Sequence, residues 1–169
     1  QNGEEIIAYQ SQKVGKKQPL PEPVKPPEEP AEIESPEELY LTGLRIKQFH
    51  NARIDPVPYF EEALKRDPLD TRSNTMMGII LKQDFQLEEA AAYFRTALKR
   101  LTADYTRPRN CEPFYHLGLI LQKQKKYDAA YDTLYRAAWD QDFASAAYFH
   151  LAQISGKRKN YSRALEEIN

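Results

Sequence analysis

Residues 71–98 and 111–138 of this chain can be laid one above the other without a gap, and that self-similarity restricts the fold more than any other feature. TRSNTMMGIILKQDFQLEEAAAYFRTAL sits over CEPFYHLGLILQKQKKYDAAYDTLYRAA, so that Gly78 falls on Gly118, Leu81 on Leu121, Leu87 on Tyr127, Ala90 on Ala130, Phe94 on Leu134 and Ala97 on Ala137. A further copy from Ser145 places Leu151, Ala152, Tyr161, Ala164 and Ile168 on the same slots, and a looser one runs from Pro36 to Asp70. The starts near 36, 71, 111 and 145 are spaced 35, 40 and 34 residues apart, the longest interval carrying the extra stretch LTADYTRPRN. Small residues paired across each unit (Gly78 with Ala90, Gly118 with Ala130, Ala152 with Ala164) allow two helix backbones to approach closely, while larger apolar neighbours fill the grooves between pairs. Two helices in each unit of this length stack into an all-α solenoid of about four helix-turn-helix repeats.

The repeats have a sharp beginning. In SPEE, Ser35 is placed to cap a helix, Pro36 fits its first position and Glu38 completes a capping box. Seven of the twelve prolines lie between Pro19 and Pro36, so residues 19–34 are expected to form an extended, semi-rigid Pro/Glu-rich arm. Ahead of it, EEIIAYQSQKV has enough β-branched and aromatic character for one short strand within residues 1–18, and one strand has no sheet of its own. The expected organisation is therefore a strand-like remnant of an upstream domain at 1–18, a linker at 19–34 and a solenoid at 35–169. Its repeats run 36–70, 71–110, 111–144 and 145–169, the last incomplete. The chain lacks an initiator Met and stops at ALEEIN without a polar capping helix, so it reads as an excerpt whose last repeat continues or self-associates.

These slots resemble the tetratricopeptide repeat. Its motif asks for an aromatic or apolar residue at position 4, Leu-Gly or Leu-Ala at 7 and 8, an aromatic at 17, Ala at 20, an aromatic or apolar residue at 24 and Ala at 27. The third copy supplies Phe114, Leu117, Gly118, Tyr127, Ala130, Leu134 and Ala137; Asn74 at position 4 of the second copy departs from the pattern, as does Asp142 where the motif often has Pro. Longer strings, among them EELYLTGLRIKQFHNARIDPVPYFEEALKRDPLD and YDAAYDTLYRAAWDQDFASAAYFHLAQI, look like the repeat region of large bacterial proteins. In those proteins a mutarotase-like β-sandwich domain of unknown function precedes the repeats. That resemblance implies a fragment of a larger protein with a link to carbohydrate metabolism.

Few residues carry chemistry. His116 and His150 occupy one repeat position on neighbouring first helices, but a metal site usually needs about four ligands; no cofactor is expected. Cys111 opens a helix, where the dipole favours a thiolate, yet no histidine is spaced to use it. No phosphate-cradling glycine loop, G-x-S-x-G or H-E-x-x-H occurs, and the adjacent carboxylates Glu61-Glu62, Glu88-Glu89 and Glu166-Glu167 splay around their helices. The fragment therefore reads as non-enzymatic. Lys123, Lys125, Lys126, Lys157, Arg158 and Lys159 fall in equivalent turns and would line one edge, but a net charge of -1 argues against nucleic acid as a partner. There is no apolar run long enough for a membrane span and no secretion signal. A single cysteine leaves the compartment open, with a lean to the cytoplasm and export as the alternative.

What remains is a surface. In the resembled family the first helices line a concave face through motif positions that include 5 and 9. Position 5 reads Tyr40, Thr75, Tyr115 and Phe149; position 9 reads Leu44, Ile79, Leu119 and Gln153. Such an apolar, aromatic trough suits an extended or proline-rich peptide better than a carboxylate clamp. The same residues would equally serve to pack one repeat on the next. The expected function is a non-catalytic scaffold for a protein or an extended peptide, its own arm or an upstream β-sandwich domain among the candidates. The alternative is an accessory region of a carbohydrate-active enzyme whose catalytic domain lies upstream.

Overall fold

Stacked helix pairs account for all the regular structure that the computed structural model describes, which covers residues 8–10, 23, 25–49 and 53–169. In chain order the helices are α1 (Pro36–Gln48), α2 (Val57–Arg66), α3 (Thr71–Gln83), α4 (Leu87–Leu101), α5 (Glu112–Lys123), α6 (Tyr127–Ala137), α7 (Gln141–Lys157) and α8 (Tyr161–Ile168). Consecutive helices pair, and each one otherwise meets only helices of the adjoining pair. This is the nearest-neighbour architecture of an α-solenoid.

Local chemistry sets the helix boundaries. Ser35 accepts a hydrogen bond from the Glu38 amide at 3.4 Å, Pro36 follows it, acids occupy the first turn of α1 and Arg45 and Lys47 its last turn, an order that suits the helix dipole. Asp70 caps α3 by accepting from the Ser73 amide at 2.8 Å. Asp140 caps α7 and also accepts from the Cys111 amide at 3.0 Å, so one carboxylate ties the starts of α5 and α7 together. That cap lies upstream of Ser145, and α7 begins at Gln141 rather than at the repeat start read from the sequence.

The turns inside the second, third and fourth pairs are built alike. Phe85, Lys125 and Lys159 each have φ of 61°. The next amides, of Gln86, Lys126 and Asn160, donate back to the carbonyls of Leu81, Leu121 and Ser155 at 2.9, 3.0 and 3.0 Å. These are Schellman closures with a bulky residue at the left-handed position that glycine usually fills.

Within each pair the small residues do what their spacing implies. A Cβ added at Gly78 would lie 2.7 Å from the Phe94 ring, and one at Gly118 would lie 2.6 Å from Leu134 Cγ. Phe94 and Leu134 are fully buried, each side chain contributing about 1.5–3 kcal/mol through removal from water. The main core runs continuously from α4 through α7, joining Ala90, Phe94, Phe114, Leu117, Leu134 and Leu151. Phe60, Met76 and Met77 pack the first pair against the second.

The end of the arm packs on the first pair. Ile33 is buried among Leu39, Ile46, Tyr59 and Ala63, and the Tyr59 hydroxyl donates to the Glu28 carbonyl at 3.0 Å. Arg66 donates to the carbonyls of Ile33 at 2.6 Å, Glu34 at 2.8 Å and Pro30 at 3.4 Å. Five guanidinium donors can satisfy several carbonyls at once, so one side chain fixes a segment that has no ladder of its own. The strand-like reading of 1–18 lies outside the described residues apart from 8–10, which are exposed and in no regular element.

Candidate functional site: the trough of the first helices

The position-5 side chains reach from one repeat toward the next. The Tyr40 ring, half-buried on α1, lies 6.1 Å from Phe60 and carries the Arg72 guanidinium of α3 over its face at 4.5 Å. Burial pushes the Tyr40 phenol up, with Arg72 opposing. Arg72 is held in turn by a two-pronged pair with Glu37. Two repeats on, the Tyr115 ring of α5 lies 5.3 Å from Phe143 and 6.1 Å from His150, both on α7; burial raises its phenol pKa too. Phe149 of α7 is 49% exposed.

Thr75 breaks the row. It is buried, and its hydroxyl is used up by donating to the Thr71 carbonyl one turn back at 2.7 Å. Beside it is a cavity of about 290 Å³, walled by Tyr40, Met76, Leu101 and Pro113, with Arg72 and Glu112 among its polar lining.

The position-9 residues are mostly packing. Leu44 and Ile79 rest on the Phe60, Met76 and Met77 cluster, and Leu119 rests on the main core. Gln153 is exposed and accepts a hydrogen bond from Gln122 at 3.3 Å. Of the eight residues, only Phe149 and Gln153 present themselves openly to solvent. Phe149 continues into an apolar hollow of about 370 Å³ with Ala152, Tyr161, Ala164, Leu165 and Ile168.

Polar residues that the motif positions did not single out also line this face. Lys82 Nζ lies 2.8 Å from His116 Nδ1, joining α3 to α5, and Glu112 approaches His116 Nε2 at 3.8 Å. Burial and the neighbouring charge of Lys123 depress the Lys82 pKa, while Glu112 opposes the shift. The pair was accessible to sequence reasoning only through the spacing of neighbouring copies. His116 and His150 both flank Tyr115, and among the described residues no cluster of three or more His, Cys, Asp or Glu could hold a metal ion.

Two chemical expectations change. Cys111 does stand at a helix start, but it is fully buried, with Sγ 3.6 Å from the Pro108 carbonyl. Burial and then Asp140 push its thiol pKa up, outweighing Arg136 and Arg107. The basic turns are also not a bare stripe. Lys123 lies over the Phe85 ring at 5.2 Å and Lys157 over Tyr127 at 5.2 Å, while Arg158 pairs with Asp128 and sits over Tyr131. Each is engaged with the preceding repeat. No helix among the described residues is long and apolar enough to cross a membrane.

Paired helices stacked on their neighbours, with glycines set against large side chains of the partner helix, make an α-solenoid of tetratricopeptide type. The tetratricopeptide repeat family profile matches residues 71–100. Among solved structures, the chain is similar to MamA from Desulfovibrio magneticus RS-1, with a TM-score of 0.61 and 19% identity over 79% of this chain and 71% of that one. It is also similar to YrrB, described as a TPR protein with an unusual peptide-binding site, with a TM-score of 0.65 and 20% identity over 79% of this chain and 66% of that one. PilF of Pseudomonas aeruginosa aligns with a TM-score of 0.62 and 24% identity, covering 78% of this chain and 57% of that one. At these identities the likeness is one of fold.

Proposed function

We propose that this chain is a non-catalytic interaction scaffold whose trough holds an extended segment of a partner protein. The observation that supports the reading is the Phe149 ring, half-exposed beside an apolar hollow of about 370 Å³. Rings spaced along a groove favour an extended peptide, whose alternate side chains can enter successive gaps. The peptide-binding site named for YrrB accords with this use of the fold. The arm is assigned a different part: anchored by Arg66 and Tyr59 on the first pair, it serves as a tether there.

The test is fluorescence anisotropy with a panel of labelled ten-residue peptides rich in proline and aromatic residues. Some member should bind, and Phe149→Ala should weaken it by about 5- to 30-fold, the effect of losing an interface residue worth roughly 1–2 kcal/mol. Phe149 is exposed, so its loss leaves the core intact. No binding across the panel, or binding indifferent to Phe149, would overturn the reading.

A further inference from the structure

We propose that the cavity beside Thr75 is a recognition slot for one aromatic side chain of the bound segment, a proposal that rests on the trough reading above. The argument comes from comparing repeats within the molecule. At position 5, Tyr40 fills the space between the first and second repeats and meets Arg72 at the start of α3. Tyr115 fills the space between the third and fourth and meets Phe143 near the start of α7. By the same register, the residue at 75 faces the start of α5, and the cavity is lined there by Asn110, Glu112 and Pro113. The chain places Thr at this position, and a space of about 290 Å³ stands where the neighbouring repeats carry a ring.

Its size and lining specify the guest. The volume falls just below the roughly 300–1,000 Å³ of drug-sized ligand sites, which fits one large side chain entering from the trough. Met76, Leu101 and Pro113 supply apolar contact, and Arg72, which already covers Tyr40 and pairs with Glu37, lines the same space. Glu112 and Asn110 put hydrogen-bond acceptors in the lining, which suits a guest with a donor at its tip. A tyrosine side chain meets all three conditions. The ten-residue stretch LTADYTRPRN, in which the extra length of this repeat lies, contributes both its first residue, Leu101, and its last, Asn110, to the site.

The probe is N-acetyl-tyrosinamide, titrated into isotope-labelled protein and followed by two-dimensional NMR. Saturable shifts at Thr75, Met76 and Leu101 are expected, with contacts from the probe ring to the Met76 methyl. Thr75→Phe, which supplies the missing ring from within, should abolish them, whereas Thr75→Val should retain them; circular dichroism checks that both variants fold. Should Thr75→Phe fail to fold, the Met76 contacts in the native chain decide the matter. Shifts that survive in a folded Thr75→Phe, shifts confined to the Phe149 and Leu165 hollow, or none at Met76 and Leu101 would overturn the slot. The trough reading is separable: if peptides still bind in a Phe149-dependent way while the probe does not enter, only the slot fails.

Discussion

Adding one methyl group at Gly118 or at Gly156 should move stability in opposite directions, although both glycines lie in helices. At Gly118 the new Cβ would stand 2.6 Å from Leu134 Cγ and 2.8 Å from its Cδ2, with the Leu134 backbone nitrogen at 3.4 Å. Carbon atoms rest at about 3.5–4.0 Å, so α5 and α6 must separate by roughly an ångström, and Leu134 has no exposed side to yield toward. Overpacking of this kind costs about 1–3 kcal/mol, against about 1 kcal/mol gained from replacing glycine by alanine in a helix. The net expectation for Gly118→Ala is a loss of up to about 2 kcal/mol, or up to roughly 8 °C in Tm for a chain of this size. At Gly156 an added Cβ meets nothing within 4 Å. Only the propensity term acts there, reduced near the end of α7, so Gly156→Ala should gain a few tenths of a kcal/mol on the same scale. Urea denaturation followed by circular dichroism measures both. A Gly118→Ala midpoint equal to or above that of the parent chain would refute the close-packing argument.

Three further outcomes are expected. Arg66→Ala should raise hydrogen exchange across residues 29–35, because its guanidinium holds three arm carbonyls, whereas Lys65→Ala, at an exposed site, should leave exchange unchanged. The Tyr131 phenol, partly buried and hydrogen-bonded to Glu167, is pushed up to about 12, while its unfolded value is about 10. A folded pKa above the unfolded one contributes stability that is complete below pH 10 and is lost as pH rises toward 12. The fall in urea midpoint between pH 9 and 11 should therefore be shallower in Tyr131→Phe than in the parent chain. Cys111 should react with iodoacetamide at pH 8 at least about tenfold more slowly in the folded chain than in urea, since burial both hides it and disfavours the thiolate; equal rates would contradict its placement.

The repeats were legible because their information lies in side-chain identity at fixed intervals. Gly78 over Gly118 and Ala90 over Ala130 mark close helix approach wherever they recur, and Ser35 with Pro36 announces α1 by its capping chemistry. What escaped was written in backbone groups or in local context. Nothing in Phe85, Lys125 or Lys159 signals a left-handed turn, because the helix-end hydrogen bonds set that conformation and the residue type opposes it. The anchoring of the arm depends on Arg66 meeting main-chain carbonyls, which every residue carries and no motif records. Cys111 was placed correctly at a helix start, yet its burial comes from the path of the loop before it, so the dipole argument lost to desolvation. The candidate positions were visible as a row of residue types, but sequence could not separate Leu44 and Ile79, which pack, from Phe149, which is open. That Thr75 stands where Tyr40 and Tyr115 carry rings was visible in the aligned repeats, but the space of about 290 Å³ beside it was not.

The restriction of each helix to its own and adjoining pairs also has a mechanical meaning. A closed core resists deformation as a block, whereas a stack of pairs is a set of springs in series, and in such a set the softest junction dominates the total compliance. Here the junctions are unequal. The main core crosses the junction between the second and third pairs without a break, whereas the first pair meets the second through the smaller cluster of Phe60, Met76 and Met77. Bending should concentrate at that first junction, so how firmly Phe60 is held against Met76 and Met77 governs how far the stack can flex.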